Sequence, residues 1–205
     1  TSVGYAALGA NTTGSWNTAY GSQALQSNTT GTANIANGSA AMISNITGSY
    51  NVSLGNQAVY QNTSGSYNVG VGPSTLFQNV TGNANVALGW KALEGTFGQS
   101  MSSSTALGSW AGKTNTTGNN NLYLGDEADA LAGTYSNSAA IGSHAKVGAS
   151  NSIVLGGTGA WAANVAIGTS TPWAKLSIQN TYGSQTALFD VATSTNASGS
   201  ATTSI

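Results

Sequence analysis

The sequence predicts an all-β chain: a parallel β-solenoid, or β-roll, of 17-residue coils followed by 14-residue coils. Three observations predict it. The chain repeats with a fixed period, each repeat holds a short alternating β-branched run, and Gly and Asn recur where the chain must turn back.

The frame N-T-T-G-S-W-N-T-A-Y-G-S-Q-A-L-Q-S begins at Asn11 and restarts at Asn28, Asn45, Asn62 and Asn79, 17 residues apart each time. With Asn11 as place one, Gly14, Gly31, Gly48, Gly65 and Gly82 hold the fourth place. Asn17, Asn34, Asn51, Asn68 and Asn85 hold the seventh, and Gly21, Gly38, Gly55, Gly72 and Gly89 the eleventh. A looser, Ser-rich coil stretched by two residues spans 96–114. The frame resumes at Asn115 with Gly118, Asn121 and Gly125. S-N-S-A-A-I-G, ending at Gly142, and S-N-S-I-V-L-G, ending at Gly156, are 14 residues apart, and N-V-A-I-G closes at Gly168. Residues 1–131 therefore read as the 17-residue solenoid and 132–168 as 14-residue coils. Residues 169–205 read as a C-terminal strand and a Thr/Ser-rich connector to further sequence, and the start at Thr1 without a Met reads as an excised segment.

Within a coil, the eighth to tenth places predict a strand: Thr18-Ala19-Tyr20, Ile35-Ala36-Asn37, Val52-Ser53-Leu54, Val69-Gly70-Val71 and Val86-Ala87-Leu88. The apolar eighth and tenth residues are expected in the core. The small ninth residue then faces outward, where a neighbouring subunit approaches closely. A second short strand is expected at Ala24-Leu25, Ala41-Met42, Ala58-Val59 and Ala92-Leu93. Reversals fall at N-T-T-G and at the eleventh-place Gly, both through positive φ. Gly21, Gly38, Gly55, Gly72, Gly89, Gly125, Gly142 and Gly156 are the predicted turn glycines. Stacked coils superimpose the Asn column, so Asn17, Asn34, Asn51, Asn68, Asn85 and Asn121 are expected to form a ladder of side-chain amides.

Composition excludes several functions. Of 205 residues only 4% are charged, with four Lys, no Arg and a net charge of -1. Clustered cations for nucleic-acid phosphates are missing. There is no Cys for a disulfide or a thiolate metal site. No apolar run approaches the roughly 20 residues that cross a bilayer, so no membrane insertion is expected of this segment. Ser, Thr, Asn and Gly make up about half the chain, a surface suited to an extracellular location.

S-N-S-A-A-I-G and S-N-S-I-V-L-G resemble the 14-residue repeats of YadA-like heads in trimeric autotransporter adhesins. The 17-residue form resembles repeats of phage tail fibres and bacterial surface fibres. V-A-I-G-T-S-T-P-W-A-K-L-S-I, from Val165 to Ile178, and A-L-F-D-V-A-T, from Ala187 to Thr193, are similar to segments that follow such repeats. The resemblance implies a homotrimer of left-handed parallel β-rolls on a cell or virion surface. It implies no ligand, since such heads bind varied targets.

Candidates for chemistry are few. His144 is the single imidazole, and Asp126, Glu127 and Asp129 are the single acidic group. That group has the residue types of a glycosidase pair or of Ca²⁺ ligands, but a solvated patch is the commoner meaning. Gly156, Gly157 and Gly159 lack the following Lys-Ser/Thr of a P-loop. Asn-x-Ser/Thr occurs at Asn11, Asn28, Asn37, Asn45, Asn51, Asn62, Asn79, Asn115 and Asn196. Trp16, Tyr50, Tyr60, Tyr67 and Phe77 recur at the sixth and sixteenth places, too bulky for a thin core, and are the expected interface aromatics. The expectation is a structural or adhesive segment of a surface fibre, without catalysis or cofactor. Its partners are expected to be copies of itself and, beyond them, a host-surface glycan or matrix. End-to-end stacking into an extracellular filament is the alternative, and a polysaccharide-processing tailspike a weaker one.

Overall fold

The computed structural model describes residues 1–96, 98, 100–157, 159–167, 171 and 176–178. Two compact units divide the chain, Thr1–Ala162 and Ala163–Ile205. The first is a parallel β-solenoid. Its main sheet has ten strands in chain order: β1 (Ser2–Val3), β2 (Thr18–Tyr20), β3 (Ile35–Asn37), β4 (Val52–Leu54), β5 (Val69–Val71), β6 (Val86–Leu88), β7 (Thr105–Leu107), β8 (Leu122–Leu124), β10 (Ala139–Ile141) and β12 (Ile153–Leu155). Register follows the repeat: Ile35 pairs with Val52 and Val52 with Val69, and the stretched coil keeps step through Val86↔Thr105 and Thr105↔Leu122. A second, two-stranded parallel sheet joins β9 (Asp129–Ala130) to β11 (Lys146–Val147). In the second unit β13 (Val165–Ile167) pairs with β14 (Leu176–Ile178). Thus Val165–Ile167, read as the last echo of the coil, belongs to a separate sheet. Ala187–Thr193, Trp173, Asn196 and most of the predicted connector lie outside the described residues.

The strands stand where alternation placed them, but they are turned over. The ninth-place residues Ala19, Ala36, Ser53, Ala87, Ala106 and Ala140 are buried, and most eighth- and tenth-place residues are exposed, including Ile35, Val86, Leu88 and Leu107. The expectation of an apolar pair inside and a small face outside is overturned. Space decides it. The interior takes one ninth-place residue, one fourteenth-place Ala and one fifteenth-place Leu, Met or Val per coil: Ala19 with Ala24 and Leu25, or Ala87 with Ala92 and Leu93. At crystal-like packing density, a lumen that accepts a Leu from one wall leaves room for only a methyl from the other.

The fourteenth and fifteenth places of the 17-residue coils are not a strand, which corrects a second expectation. Leu25, Met42, Val59, Leu76 and Leu93 have φ of 52, 51, 52, 49 and 50°, and the thirteenth-place Gln23, Ala40, Gln57, Ser74 and Lys91 are also positive. Left-handed backbone costs an L-residue about 1–2 kcal/mol, and Val59 is β-branched besides. The hydrogen bonds explain the conformation. Gln57 N–H donates back one coil to Ser39 O at 2.9 Å, while Val59 N–H donates forward to Thr75 O at 2.8 Å. Each left-handed residue turns its N–H along the stacking direction. A strand near these places appears only from the coil of Asn115 onward, as β9 and β11.

The turn glycines divide into two kinds. Gly21, Gly38, Gly55, Gly72, Gly89, Gly125, Gly142 and Gly156 all have positive φ, between 81 and 145°. At Gly55, φ is 143° and a Cβ would lie 2.6 Å from Gly72 O. The fourth-place glycines have no positive φ, contrary to expectation. They are required by contact: a Cβ at Gly48 would overlap both Gly65 O and Asn45 Oδ1. The left-handed residue of that reversal is instead at the sixth place, including Trp16, Tyr50 and Tyr67 at 59–60°.

One core exchange breaks the repeat. Tyr123 stands at a ninth place that every earlier coil fills with Ala, Ser or Gly, and it is fully buried. Its ring fills the room left at the fifteenth place of the preceding coil, where Gly112 replaces Leu: a Cβ there would meet Tyr123 Cδ2 at 2.6 Å and Leu93 Cδ2 at 2.7 Å. The phenol has no hydrogen-bond partner among the described residues. Burial pushes its pKa well above the ordinary value, and the charge of Asp129 adds to the rise.

Two predictions follow from the core and the turns. Gly55→Val combines a strained dihedral, about 1–3 kcal/mol, with overpacking of similar size. The urea midpoint should fall steeply, and an unchanged midpoint would contradict the turn geometry. Tyr123→Phe removes a buried unpaired hydroxyl and should be neutral to stabilising by about 1 kcal/mol. The raised folded pKa also has a sign. Its contribution is intact below the unfolded value of about 10 and is lost as pH rises toward the folded value. Melting temperatures from pH 8 to 11 should therefore fall less for the Phe variant than for the parent.

Candidate functional site

The polar residues of highest occupancy in the repeat are structural. Asn34, Asn51, Asn68 and Asn85 are fully buried and Asn17 nearly so. Asn51 is representative. Its amide donates to Asn34 Oδ1 at 3.1 Å and to Gly65 O at 2.9 Å, its backbone N–H donates to Asn34 Oδ1 at 3.0 Å, and its own Oδ1 accepts from Asn68 N–H at 2.9 Å. Ser104 carries the column through the stretched coil: its N–H donates to Asn85 Oδ1 at 3.0 Å, and its Oγ accepts from Asn115 Nδ2 and from Asn121 N–H, both at 3.4 Å. Asn121 resumes the column, donating to Tyr135 O at 2.7 Å and accepting from Ser138 N–H at 3.0 Å.

A second amide column went unread in the sequence, although its residues set the frame. Asn28 donates to Asn11 Oδ1 at 2.8 Å, Asn45 to Asn28 Oδ1 at 2.7 Å, and Asn62 to Asn45 Oδ1 at 2.7 Å. Both columns converge on one acceptor per coil: Gly48 O receives Asn34 Nδ2 at 2.8 Å and Asn45 Nδ2 at 2.9 Å. The second column stops before the stretched coil, where Asn62 Oδ1 and Asn79 Oδ1 are buried without a partner. A third column runs through the fifth place. Ser49 N–H donates to Ser66 Oγ at 3.0 Å and Ser66 N–H to Asn83 Oδ1 at 2.8 Å.

The described charges gather on one strip, between Lys91 and Lys146, at the twelfth to sixteenth places. Lys91 pairs with Glu94 at 2.9 Å, Lys113 with Glu127 at 3.3 Å, and Lys146 with Asp129 at 3.7 Å. The hydrogen bond and the charge of Lys113 hold the Glu127 carboxyl below its ordinary range. Asp129 is buried and accepts from Thr114 Oγ1 at 2.6 Å and Thr114 N–H at 3.1 Å, so it ties two coils together. Glu127 and Asp129 are thus each engaged by a different lysine, and among the described residues no set of three His, Asp or Glu converges as metal ligands. His144 stacks on Trp161 with ring centroids 4.0 Å apart and accepts or donates at Nδ1 with Ser143 Oγ. Lys91 and Lys113 both lie over Trp110, at 4.4 and 5.0 Å.

The predicted interface aromatics form two outer columns. Tyr50 stacks on Tyr67 at 5.1 Å, and Tyr60 on Phe77 at 4.8 Å, both nearly parallel. Trp16 is 83% exposed. Beside the sixth-place column lies the outward face of the main sheet. From Val52 onward its two rows are Val52 and Leu54, Val69 and Val71, Val86 and Leu88, Thr105 and Leu107, Leu122 and Leu124, Ala139 and Ile141, and Ile153 and Leu155. Ile153 is 71% exposed. This apolar face is the surface that the sequence reading had placed in the core.

Comparison with protein-family models, curated proteins and solved structures finds no match. No helix among the described residues is long and apolar enough to cross a membrane.

The buried ladder gives a direct prediction. Asn51→Asp replaces two donated bonds with an unpaired acceptor in a fully buried site, at a cost of about 2–4 kcal/mol for neutral groups and more if the carboxyl ionises. A denaturation midpoint equal to that of the parent would contradict the ladder's role.

Proposed function

We propose that the chain is a structural or adhesive segment of an extracellular surface fibre, and that it assembles as a parallel homotrimer through the outward face of its main sheet. The observation that carries this reading is the apolar face from Val52 to Leu155, with Val86, Leu88, Leu107, Ile153 and Leu155 each more than two-fifths exposed. Contiguous apolar patches beyond a few hundred Å² on a soluble chain mark association sites. Association through this face needs no charge pairing, which suits a chain whose three described lysines are each engaged by a carboxylate of the same chain. The stacked sixth-place aromatics flank the same face and extend it. The resemblance of the 14-residue coils to YadA-like heads supports the same assembly and a cell- or virion-surface location. The role assigned is mechanical and adhesive: a rigid rod that spaces or presents what it carries, with a glycan or matrix component as the class of adhesion target.

Light scattering with size separation tests it. The native particle should have three times the 20.3 kDa chain mass. Leu88→Lys with Leu107→Lys changes only outward side chains and should give a folded monomer with an unaltered β signature. A parent chain that is already a stable monomer sinks the proposal, and an indefinite, concentration-dependent polymer replaces the trimer with end-to-end stacking.

A further inference from the structure

The sequence holds nine Asn-x-Ser/Thr acceptor motifs, and the fold treats them unequally. Asn28, Asn45, Asn51, Asn62, Asn79 and Asn115 are fully buried. Their amide nitrogens point into the coil and donate to the carbonyls of Gly31, Gly48, Gly65, Gly65, Gly82 and Gly118 respectively. Asn11 is partly exposed, but its nitrogen donates to Gly14 O at 2.9 Å and its oxygen accepts from Asn28 at 2.8 Å. Asn196 lies outside the described residues. Asn37 differs from all the others described. It occupies an outward tenth place at the end of β3, is exposed together with Ser39, and its side chain makes no hydrogen bond among the described residues. It lies in the row just before the continuous apolar patch begins at Val52.

We infer that Asn37 is a glycan acceptor site of the folded chain, and that the ladders make its modification depend on order. A transferase must reach both the Asn nitrogen and the hydroxyl two residues on. In the folded solenoid only the pair Asn37 and Ser39 presents both, among the described residues. In the reaction the Asn37 Nδ2 forms a bond to the anomeric carbon of a sugar donated by a nucleoside-diphosphate sugar. The bond from that carbon to the diphosphate oxygen breaks, the electron pair leaves with the diphosphate, and the Nδ2 proton passes to the enzyme's base. A sugar added before folding to any of the six buried Asn displaces an amide hydrogen that the coil needs and brings a polar ring into a site without space for it. Among the described residues, modification after folding is therefore confined to Asn37, one row outside the Val52–Leu155 patch, and leaves the coils intact, whereas modification of the nascent chain blocks coil stacking.

The full chain carrying Asn196→Gln, purified folded, is incubated with a soluble N-glucosyltransferase that reads Asn-x-Ser/Thr, and with UDP-glucose. Intact mass should rise by one hexose, the fragment masses should place it on Asn37, and Asn37→Gln should abolish the gain without changing far-ultraviolet dichroism. In a second arm the same chain is expressed through a secretory route that transfers glycan during translocation, where several glycans and loss of the β signature are expected. No hexose on folded Asn37, a hexose on any of the six buried Asn in the folded protein, or a folded secreted chain glycosylated at one of them overturns the inference.

Discussion

One acceptor per coil holds the molecule in register: the fourth-place carbonyl, gripped from two sides by amides three and fourteen residues away in the chain. Gly48 O illustrates it, receiving Asn45 from its own reversal and Asn34 from the preceding coil. The geometry explains why glycine is required at that place despite ordinary dihedrals. A side chain there would sit where the next carbonyl and the amide oxygen already are. With the fourth-place carbonyl of the reversal satisfied by rigid amides, as Gly48 O is, adjacent coils stack without slipping. The exposed Val and Leu columns inherit that register: they line up because the ladders beneath them do.

The left-handed residues belong to the same logic. Twenty-four described non-glycine residues have positive φ, a large strain for a chain of this size. From Gln23 onward each sixth- and thirteenth-place example sends its N–H to the preceding coil, as Tyr67 does to Ser49 O at 3.0 Å and Lys91 to Pro73 O at 3.0 Å. Local strain is exchanged for a hydrogen bond along the stack, and the exchange is repeated at every level. Buried backbone groups left without partners would cost more than the dihedrals do.

Period, strand positions, eleventh-place glycines and the seventh-place Asn column were all legible in the sequence, because each is a residue type that recurs at a fixed spacing. Sidedness was not. Alternation at Val52-Ser53-Leu54 specifies a strand but leaves open which parity faces inward, and the usual rule of apolar residues inside gives the wrong answer in a lumen this narrow. The left-handed backbone at Leu25 and Val59 was equally hidden, since neither residue type favours it and only the stacking direction of the N–H demands it. The second amide column had a visible signal in Asn28, Asn45 and Asn62, but its residues were read as turn formers. Tyr123 and Gly112 carried a readable signal as well: a large residue in a small column, eleven positions after a Gly in a column otherwise held by Leu, Met or Val.

That pair has a consequence for how such a chain changes length. Most coils between Asn11 and Asn79 share one interior, Ala against Leu or its equivalents, so they can be duplicated or deleted as a whole and their neighbours will still fit. The coil of Gly70 is the exception, since a Cβ there would meet Val59 Cγ2 at 2.7 Å and Thr75 Oγ1 at 2.8 Å. The interface between the coils bearing Gly112 and Tyr123 accepts no such exchange. A standard coil inserted there sets a Leu-sized side chain against the ring on one side and leaves an unfilled hollow on the other. Growth and shrinkage of the solenoid by unequal recombination are thus confined to its first part, and the coils bearing Gly112 and Tyr123 must be inherited together.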